Sequence, residues 1–94
     1  MIKSFRCTHT QLLFETGRCK RFSAIAIVAA RKLVQLDAAQ TLEFLRSPPG
    51  NRLEALRDDR AGQYSIRVND QFRLCFRWTE AGPEDVEIVS TTIS

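Results

Sequence analysis

The sequence predicts an α+β domain, an antiparallel β-meander with N-terminal helices packed on one of its faces. Three observations predict it. In the first half, Phe22, Ile25, Ala29, Leu33 and Leu36 recur at three- and four-residue steps, the period of one helix face. Beyond residue 60 the period falls to two. Tyr64, Ile66 and Val68 alternate with Gln63, Ser65 and Arg67, and Phe72, Leu74, Phe76 and Trp78 alternate with Gln71, Arg73, Cys75 and Arg77, as in strands with one buried face. Finally, helices come first and strands after, which suits segregated layers. A chain of 94 residues has room for one core, so residues 1–94 are read as a single domain.

Residues 2–7 (IKSFRC) read as a short strand. Residues 8–15 suit a short helix, with Thr8 as its cap and Leu12 and Phe14 as its apolar contacts. Gly17 ends it, and residues 17–21 (GRCKR) form a basic loop. Ser23 is placed to cap the next helix, which runs to about Leu36 and leaves Arg31, Lys32 and Gln35 off its apolar stripe. Asp37 is placed to cap a further helix, Gln40 completing a reciprocal capping pair while Leu42 and Leu45 pack inward. Ser47-Pro48-Pro49-Gly50 stops that helix, since proline lacks a backbone donor and disfavours helix before it. In LEALRDD, Glu54 and Arg57 are three apart, so a helical turn would set them on one face.

Parity decides the hairpin. A two-residue loop at Asn69-Asp70 would set Val68 opposite Gln71 and mix apolar with polar side chains on one face, which a one-sided core forbids. Pairing Val68 with Phe72 restores the faces. The expectation is a three-residue loop, residues 69–71, or a bulge, with one loop residue left-handed. This register sets Arg67 opposite Arg73 on the outer face, a like-charge pair that makes sense where a phosphate is bound. Residues 80–83 turn, and Val86 and Ile88, alternating with Asp85 and Glu87, form the last strand.

Composition excludes several classes. With 44% hydrophobic and 27% charged residues, wholesale disorder is not expected. The longest apolar run, residues 24–30, is too short to cross a bilayer. No apolar segment follows Lys3 and Arg6, so no secretory signal is expected. Cys7, Cys19 and Cys75 are odd in number and lack a C-x-x-C spacing, which suits reduced thiols in a cytoplasmic protein. His9 beside Cys7 lacks the spaced pairs that zinc needs, and no metal or other cofactor is expected. The net charge of +3 is uneven. Residues 1–50 hold eight Lys/Arg and three Asp/Glu, and residues 51–94 hold six and eight. A basic half suits an anionic partner, nucleic acid or acidic protein, with a merely solvated surface as the alternative.

The runs MIKSFRC, PPGNRLEAL, DRAGQYSIRVNDQFRLCFRW and AGPEDVEIV closely resemble the HigB branch of the RelE-like toxins, the killer halves of bacterial toxin–antitoxin pairs. The resemblance covers nearly the whole chain. It implies the RelE-like fold and a metal-independent, ribosome-dependent mRNA endonuclease that inhibits translation. By that route a ribose 2′-hydroxyl attacks the adjacent phosphate while one group takes its proton, another protonates the leaving oxygen, and cations hold the extra negative charge. The implied partners are the ribosome with its mRNA and a cognate helix-turn-helix antitoxin of HigA type. Operator DNA would be reached only through that antitoxin.

Arg73 is the first candidate for catalysis. Its guanidinium is permanently charged, can hold two phosphate oxygens and sits mid-strand on the polar face. QFRLCF matches the family around its phosphate-binding arginine; the alternative is a salt bridge to Glu87 or Asp85. Arg57 and Glu54 are also assigned to catalysis, at places where some relatives hold a catalytic lysine and histidine. Arg57 would stabilise the phosphate but is a poor general acid, and Glu54 is a candidate base if the fold buries it. A surface Glu54–Arg57 pair worth ~0.5 kcal/mol is the alternative. Arg60 serves either RNA backbone or a pair with Asp58 or Asp59. Arg67, Arg52 and Gln71 complete the candidate RNA-binding set. Tyr64 reads as packing and His9 as a surface residue.

The family typically ends, after EIV, in Asp-Tyr-His, whereas this chain has Ser90, Thr91 and Thr92 there. Hydroxyls are poor proton shuttles at neutral pH, and losing such groups lowers a rate by ~10²–10⁴ each. Two other readings therefore stand beside the toxin. One is a catalytically inert antitoxin- or ribosome-binding protein of the same fold. The other is a generic basic RNA-binding module, for which no RNP, KH or OB pattern is visible.

Overall fold

In a computed structural model, which describes residues 1–90, α1 (Thr8–Thr16) and α2 (Ala26–Ala38) pack on a four-stranded antiparallel sheet. The sheet is β1 (Glu54–Ala55), β2 (Gln63–Arg67), β3 (Phe72–Thr79) and β4 (Gly82–Ser90), in chain order. Short links join successive strands, and short links make antiparallel neighbours. This is the α+β meander that the change of period predicts.

The predicted helical stripe is the buried one. Phe22, Ile25, Ala29, Leu33 and Leu36 share one core with Ile66, Leu74, Phe76, Val86 and Ile88 from the inner face of the sheet. Each fully buried aliphatic side chain contributes ~1.5–3 kcal/mol. Tyr64 belongs to this layer, its ring stacked 6.3 Å from that of Phe76.

The local starts and stops differ from expectation. α1 has no side-chain cap from Thr8. It fully buries Thr10 and Leu13, packs Phe14 half-buried against the core with its ring 5.7 Å from that of Phe5, and leaves Leu12 exposed. The inward face is set by β4, because Thr10 Oγ1 accepts the Ile88 N–H at 3.0 Å. Gly17 ends α1 in the left-handed region (φ 76°), donating its N–H to Leu13 O at 2.8 Å. Ser23 caps nothing. Lys20–Ile25 is a 3₁₀ stretch in which Phe22 leaves helical angles, and α2 begins only at Ala26. Burial of Phe22 in the core accompanies that kink. Asp37 does not start a further helix; it lies within α2, and its Oδ1 accepts the Ile2 N–H at 2.8 Å. A 3₁₀ turn, Glu43–Arg46, carries the buried Leu45 instead.

Residues 2–7 form less of a strand than expected. They run parallel to β4, with one bridge, Phe5 to Val86, and hydrogen bonds from Lys3 N–H to Pro83 O (2.7 Å) and Arg6 N–H to Val86 O (3.0 Å). The irregularity lies in β4. Its register against β3 shifts between Cys75 and Arg77, with Asp85 in the left-handed region (φ 54°). Such a bulge breaks a regular ladder.

The hairpin register is the expected one. Arg67 pairs with Arg73, Ile66 with Leu74 and Tyr64 with Phe76, and the Val68 N–H donates to Phe72 O at 3.0 Å. The loop is residues 69–71. The expected left-handed residue does not occur, since none of the three has positive φ. Asn69 closes the turn with its side chain instead, Oδ1 accepting the N–H groups of Gln71 and Phe72, each at 2.8 Å.

Candidate functional site

The outer face of the sheet carries the polar residues that alternation put there. One cross-strand row runs Glu54, Ser65, Cys75, Glu87, and beside it Arg67 and Arg73 face each other. Arg73 sits at the centre with its side chain one-fifth exposed. Nε donates to Ser65 Oγ at 2.8 Å, and Nη2 meets both Glu54 Oε1 at 2.6 Å and the Arg52 carbonyl at 3.1 Å. Three contacts, two from residues 52–54 and one from β2, fix the plane of this guanidinium. Nη1 makes no hydrogen bond among the described residues, so two N–H donors remain for an anion.

This arrangement corrects the pairing expected for Glu54. Residues 54–55 pair as a strand with β2, and the Leu56 N–H continues to Gln63 O at 2.8 Å. Glu54 therefore shares no helical face with Arg57. Its carboxylate goes to Arg73 across the sheet, and Arg57 is exposed without an ion pair among the described residues. Arg73 in turn meets neither Glu87 nor Asp85. Glu87 Oε2 holds Arg60 Nη2 at 3.1 Å and lies 3.8 Å from Arg6 Nε, while Asp85 lies 3.8 Å from Arg77 Nε. The local partners weighed for Arg60, Asp58 and Asp59, are displaced by this contact, which Gln63 completes by accepting from Arg60 Nη1 at 3.2 Å. Glu87 is only 14% exposed, so its charge is less screened than theirs at the surface.

The remaining candidates lie at the margins. Arg67 pairs with Asp70 at the hairpin end, and Gln71 is exposed in the turn. Arg52 contributes its carbonyl to Arg73, from a left-handed conformation (φ 47°, ψ 58°). Ser90 ends β4 opposite Phe72; Thr91 and Thr92 lie outside the described residues. Between the two arginine clusters Cys75 is buried. Burial pushes its thiol up, opposed by Arg60, reinforced by Glu87 and opposed again by Arg73. It is thus a neutral packing group at physiological pH.

Two residues that hold this site were not singled out from the sequence. Ser65, fully buried, orients the Nε edge of Arg73; the register itself contains the signal, since Ser65 lies one diagonal step from Arg73. Asn51, also fully buried, pins the segment before β1. Its Nδ2 donates to Gln35 Oε1 (3.1 Å), Leu45 O (3.0 Å) and Ser47 O (3.3 Å), and its Oδ1 accepts from Lys32 Nζ. Burial lowers the pKa of that lysine. Nothing in a lone asparagine after two prolines announces this role.

Among the described residues no group of three or more His, Cys, Asp or Glu could hold a metal ion, and no helix is long and apolar enough to cross a membrane.

The chain matches the family model of the RelE-like toxin of type II toxin–antitoxin system HigB over residues 3–91. It is 52% identical over 58 residues to Toxin HigB-1 of Vibrio cholerae serotype O1, a stretch that is 62% of this chain and 61% of that protein. It is 47% identical over 51 residues to an uncharacterized protein of Haemophilus influenzae, covering 54% of this chain and 50% of that protein. The chain thus spans between half and about six-tenths of the length of these curated relatives. The antiparallel four-stranded sheet with helices on its inner face agrees with the RelE-like fold. With the family model matched from residue 3 to residue 91 and the fold in agreement, the chain belongs to the HigB-like toxins of the RelE-like group.

Proposed function

We propose that this chain is a cytoplasmic toxin that cuts mRNA on the ribosome without a metal, using the outer face of the sheet, and that a cognate HigA-like antitoxin restrains it. The observation that carries the reading is Arg73, held by three contacts, with Nη1 making no hydrogen bond among the described residues and a carboxylate 2.6 Å away from Nη2. A phosphodiester oxygen meets Nη1 of Arg73, and the exposed side chains of Arg57 and Arg52 add positive charge at the rim. Glu54 is 61% exposed, so its role as base rests on its place beside Arg73 and not on the burial first expected of it. From there it takes the proton of the 2′-hydroxyl, whose oxygen then bonds to phosphorus. The bond to the 5′-oxygen breaks and that oxygen is protonated from water, leaving a cyclic phosphate and a 5′-hydroxyl. The ribosome supplies substrate positioning, which a small open surface lacks. Arg60, Arg67 and Gln71 bind flanking RNA.

The test is cleavage of mRNA on programmed ribosomes by the purified chain beside Arg73→Ala. Cleavage by the chain and its loss in the variant support the reading; equal cleavage by both overturns the role of Arg73. The inert-binder reading is favoured by one observation, the hydroxyls of Ser90, Thr91 and Thr92 where the family has proton-transferring groups. It predicts that cleavage appears only after Ser90→Asp, Thr91→Tyr and Thr92→His are combined. Cleavage by the unaltered chain excludes it.

A further inference from the structure

We propose that the outer face of α2 is the surface on which the antitoxin docks, through an apolar ridge of its own flanked by carboxylates. This rests on the reading of the chain as a toxin with a cognate antitoxin.

α2 is apolar on two opposite sides. One side, with Ala29, Leu33 and Leu36, is buried in the core. Half a turn away, Ile27 is 73% exposed and Val34 62% exposed, with Val28 at the margin at 41%. Ile27, Arg31, Val34 and Ala38 follow one another at steps of four, three and four, so they form one stripe about 16 Å long. Single exposed aliphatic residues are ordinary, but a helix surface with one charge among four positions is not that of a solvated helix. Helical propensity does not ask for it either, since isoleucine and valine are poorer helix formers than the charged residues that could stand there.

Charge indicates what covers the stripe. Arg18, Lys20 and Arg21, in the link before α2, and Arg31 within the stripe are exposed and make no ion pair among the described residues. An acidic surface complements them. A second copy of this chain does not, because a two-fold contact would bring the same cations together. RNA would satisfy the cations but gain little from aliphatic side chains, which offer no ring for a base to stack on. A protein ridge of apolar side chains at three- and four-residue spacing, with Asp and Glu beside it, satisfies both.

The position has a consequence. The buried side of α2 faces the inner side of the sheet, whereas Arg73 lies on the outer side. Docking on α2 is therefore separable from cleavage, and covering Arg73 would need a second segment of the antitoxin.

The experiment titrates the purified antitoxin encoded alongside this chain against the full chain and against Ile27→Glu/Val34→Glu and Arg31→Glu. We expect the double variant to weaken binding by about 100-fold or more, as loss of a central apolar anchor does. Arg31→Glu should weaken it by about tenfold and flatten its salt dependence. Ribosome-dependent cleavage by the double variant should stay within about twofold of the unaltered chain, since neither residue is near Arg73 on the sheet. Hydrogen exchange on the unaltered chain answers without any variant: added antitoxin should slow exchange across residues 26–38. Unchanged affinity of the folded double variant, or unchanged exchange in α2, overturns the docking surface while leaving the cleavage reading intact. Loss of self-association or of ribosome binding by the double variant, with antitoxin affinity unchanged, overturns it in favour of a second copy or RNA. If the unaltered chain fails to bind the antitoxin at all, the toxin–antitoxin pairing falls together with the surface.

Discussion

The two outward faces of this chain carry the same kind of charge in opposite states. On the sheet, Arg60, Arg67, Arg73 and Arg77 each lie within ion-pair distance of a carboxylate. Around α2, Arg18, Lys20, Arg21 and Arg31 meet none among the described residues. A guanidinium held by a carboxylate, a hydroxyl and a carbonyl has lost most of its side-chain freedom and presents its remaining donors in one direction. An unheld cation supplies attraction over roughly a Debye length and little orientation. The first arrangement suits a reaction at one phosphate; the second suits recruitment of an acidic partner. Net charge alone would rank the two faces the other way, because residues 51–94 carry more acidic than basic residues.

The largest effect that separates the faces is expected at Arg73. Arg73→Ala should lower ribosome-dependent cleavage by ~10²–10³, the loss typical of one transition-state donor, and Arg73→Lys should recover little because an ammonium lacks the planar fork. Arg31→Ala should change cleavage by less than about twofold. Equal losses at the two positions would mean that the faces do not differ in function. Next comes Glu54→Gln. It removes both the proposed base and the charge that would compete with a phosphate at Arg73, so cleavage should fall by ~10² while RNA should bind more tightly. A fall in both rate and RNA affinity would make Glu54 a positioning group only.

Asn51→Ala tests whether the buried clamp supports the sheet face. It leaves Lys32 Nζ, Gln35 Oε1 and the carbonyls of Leu45 and Ser47 short of a partner. The expected loss is about 2–3 kcal/mol of stability in urea unfolding, with reduced cleavage at temperatures where the variant remains folded. Unchanged stability would show that the clamp is replaceable by water. The smallest effect concerns Cys75. Its thiol is raised by burial, so the folded state favours the protonated form. The stability this contributes is fully present below the ordinary thiol pKa of ~8.5 and is lost as pH rises through the folded value. Native alkylation near pH 8 should reach the half-buried Cys7 ahead of the buried Cys19 and Cys75. Early loss of Cys75 would mean that the sheet face opens readily.

The comparison also separates what was legible in advance. The stripe of Phe22, Ile25, Ala29, Leu33 and Leu36 and the register that opposes Arg67 to Arg73 follow from parity and period. Both are constraints that the chain imposes on itself, because a slip of one residue would turn an apolar row to water. Caps and pairs were less legible. Ser23, Asp37 and the Glu54–Arg57 spacing each satisfy a local rule, and each was overruled by a contact distant in sequence: Phe22 in the core, the Ile2 N–H on Asp37, and Arg73 on Glu54. Local rules of this kind are worth a kcal/mol or less, so a buried aromatic or a two-strand pairing outweighs them.

By itself, then, the sequence determined the class of the fold, the order and inner faces of β2, β3 and β4, the position of Arg73 on the polar face and the resemblance to the HigB-like toxins, but not β1, whose residues it read as a helical turn. These are properties of residue type and spacing along one line. The tertiary structure alone decided that Glu54 pairs with Arg73 and Glu87 with Arg60, that Asn51 anchors the strand entering the site, and that a second apolar stripe of α2 remains uncovered. Those depend on which segments the sheet and the core bring side by side, and several partners of each sign compete for every arginine. The physical reason is range: hydrophobic period acts within an element, whereas ion pairs and buried hydrogen bonds are settled between elements once packing has placed them.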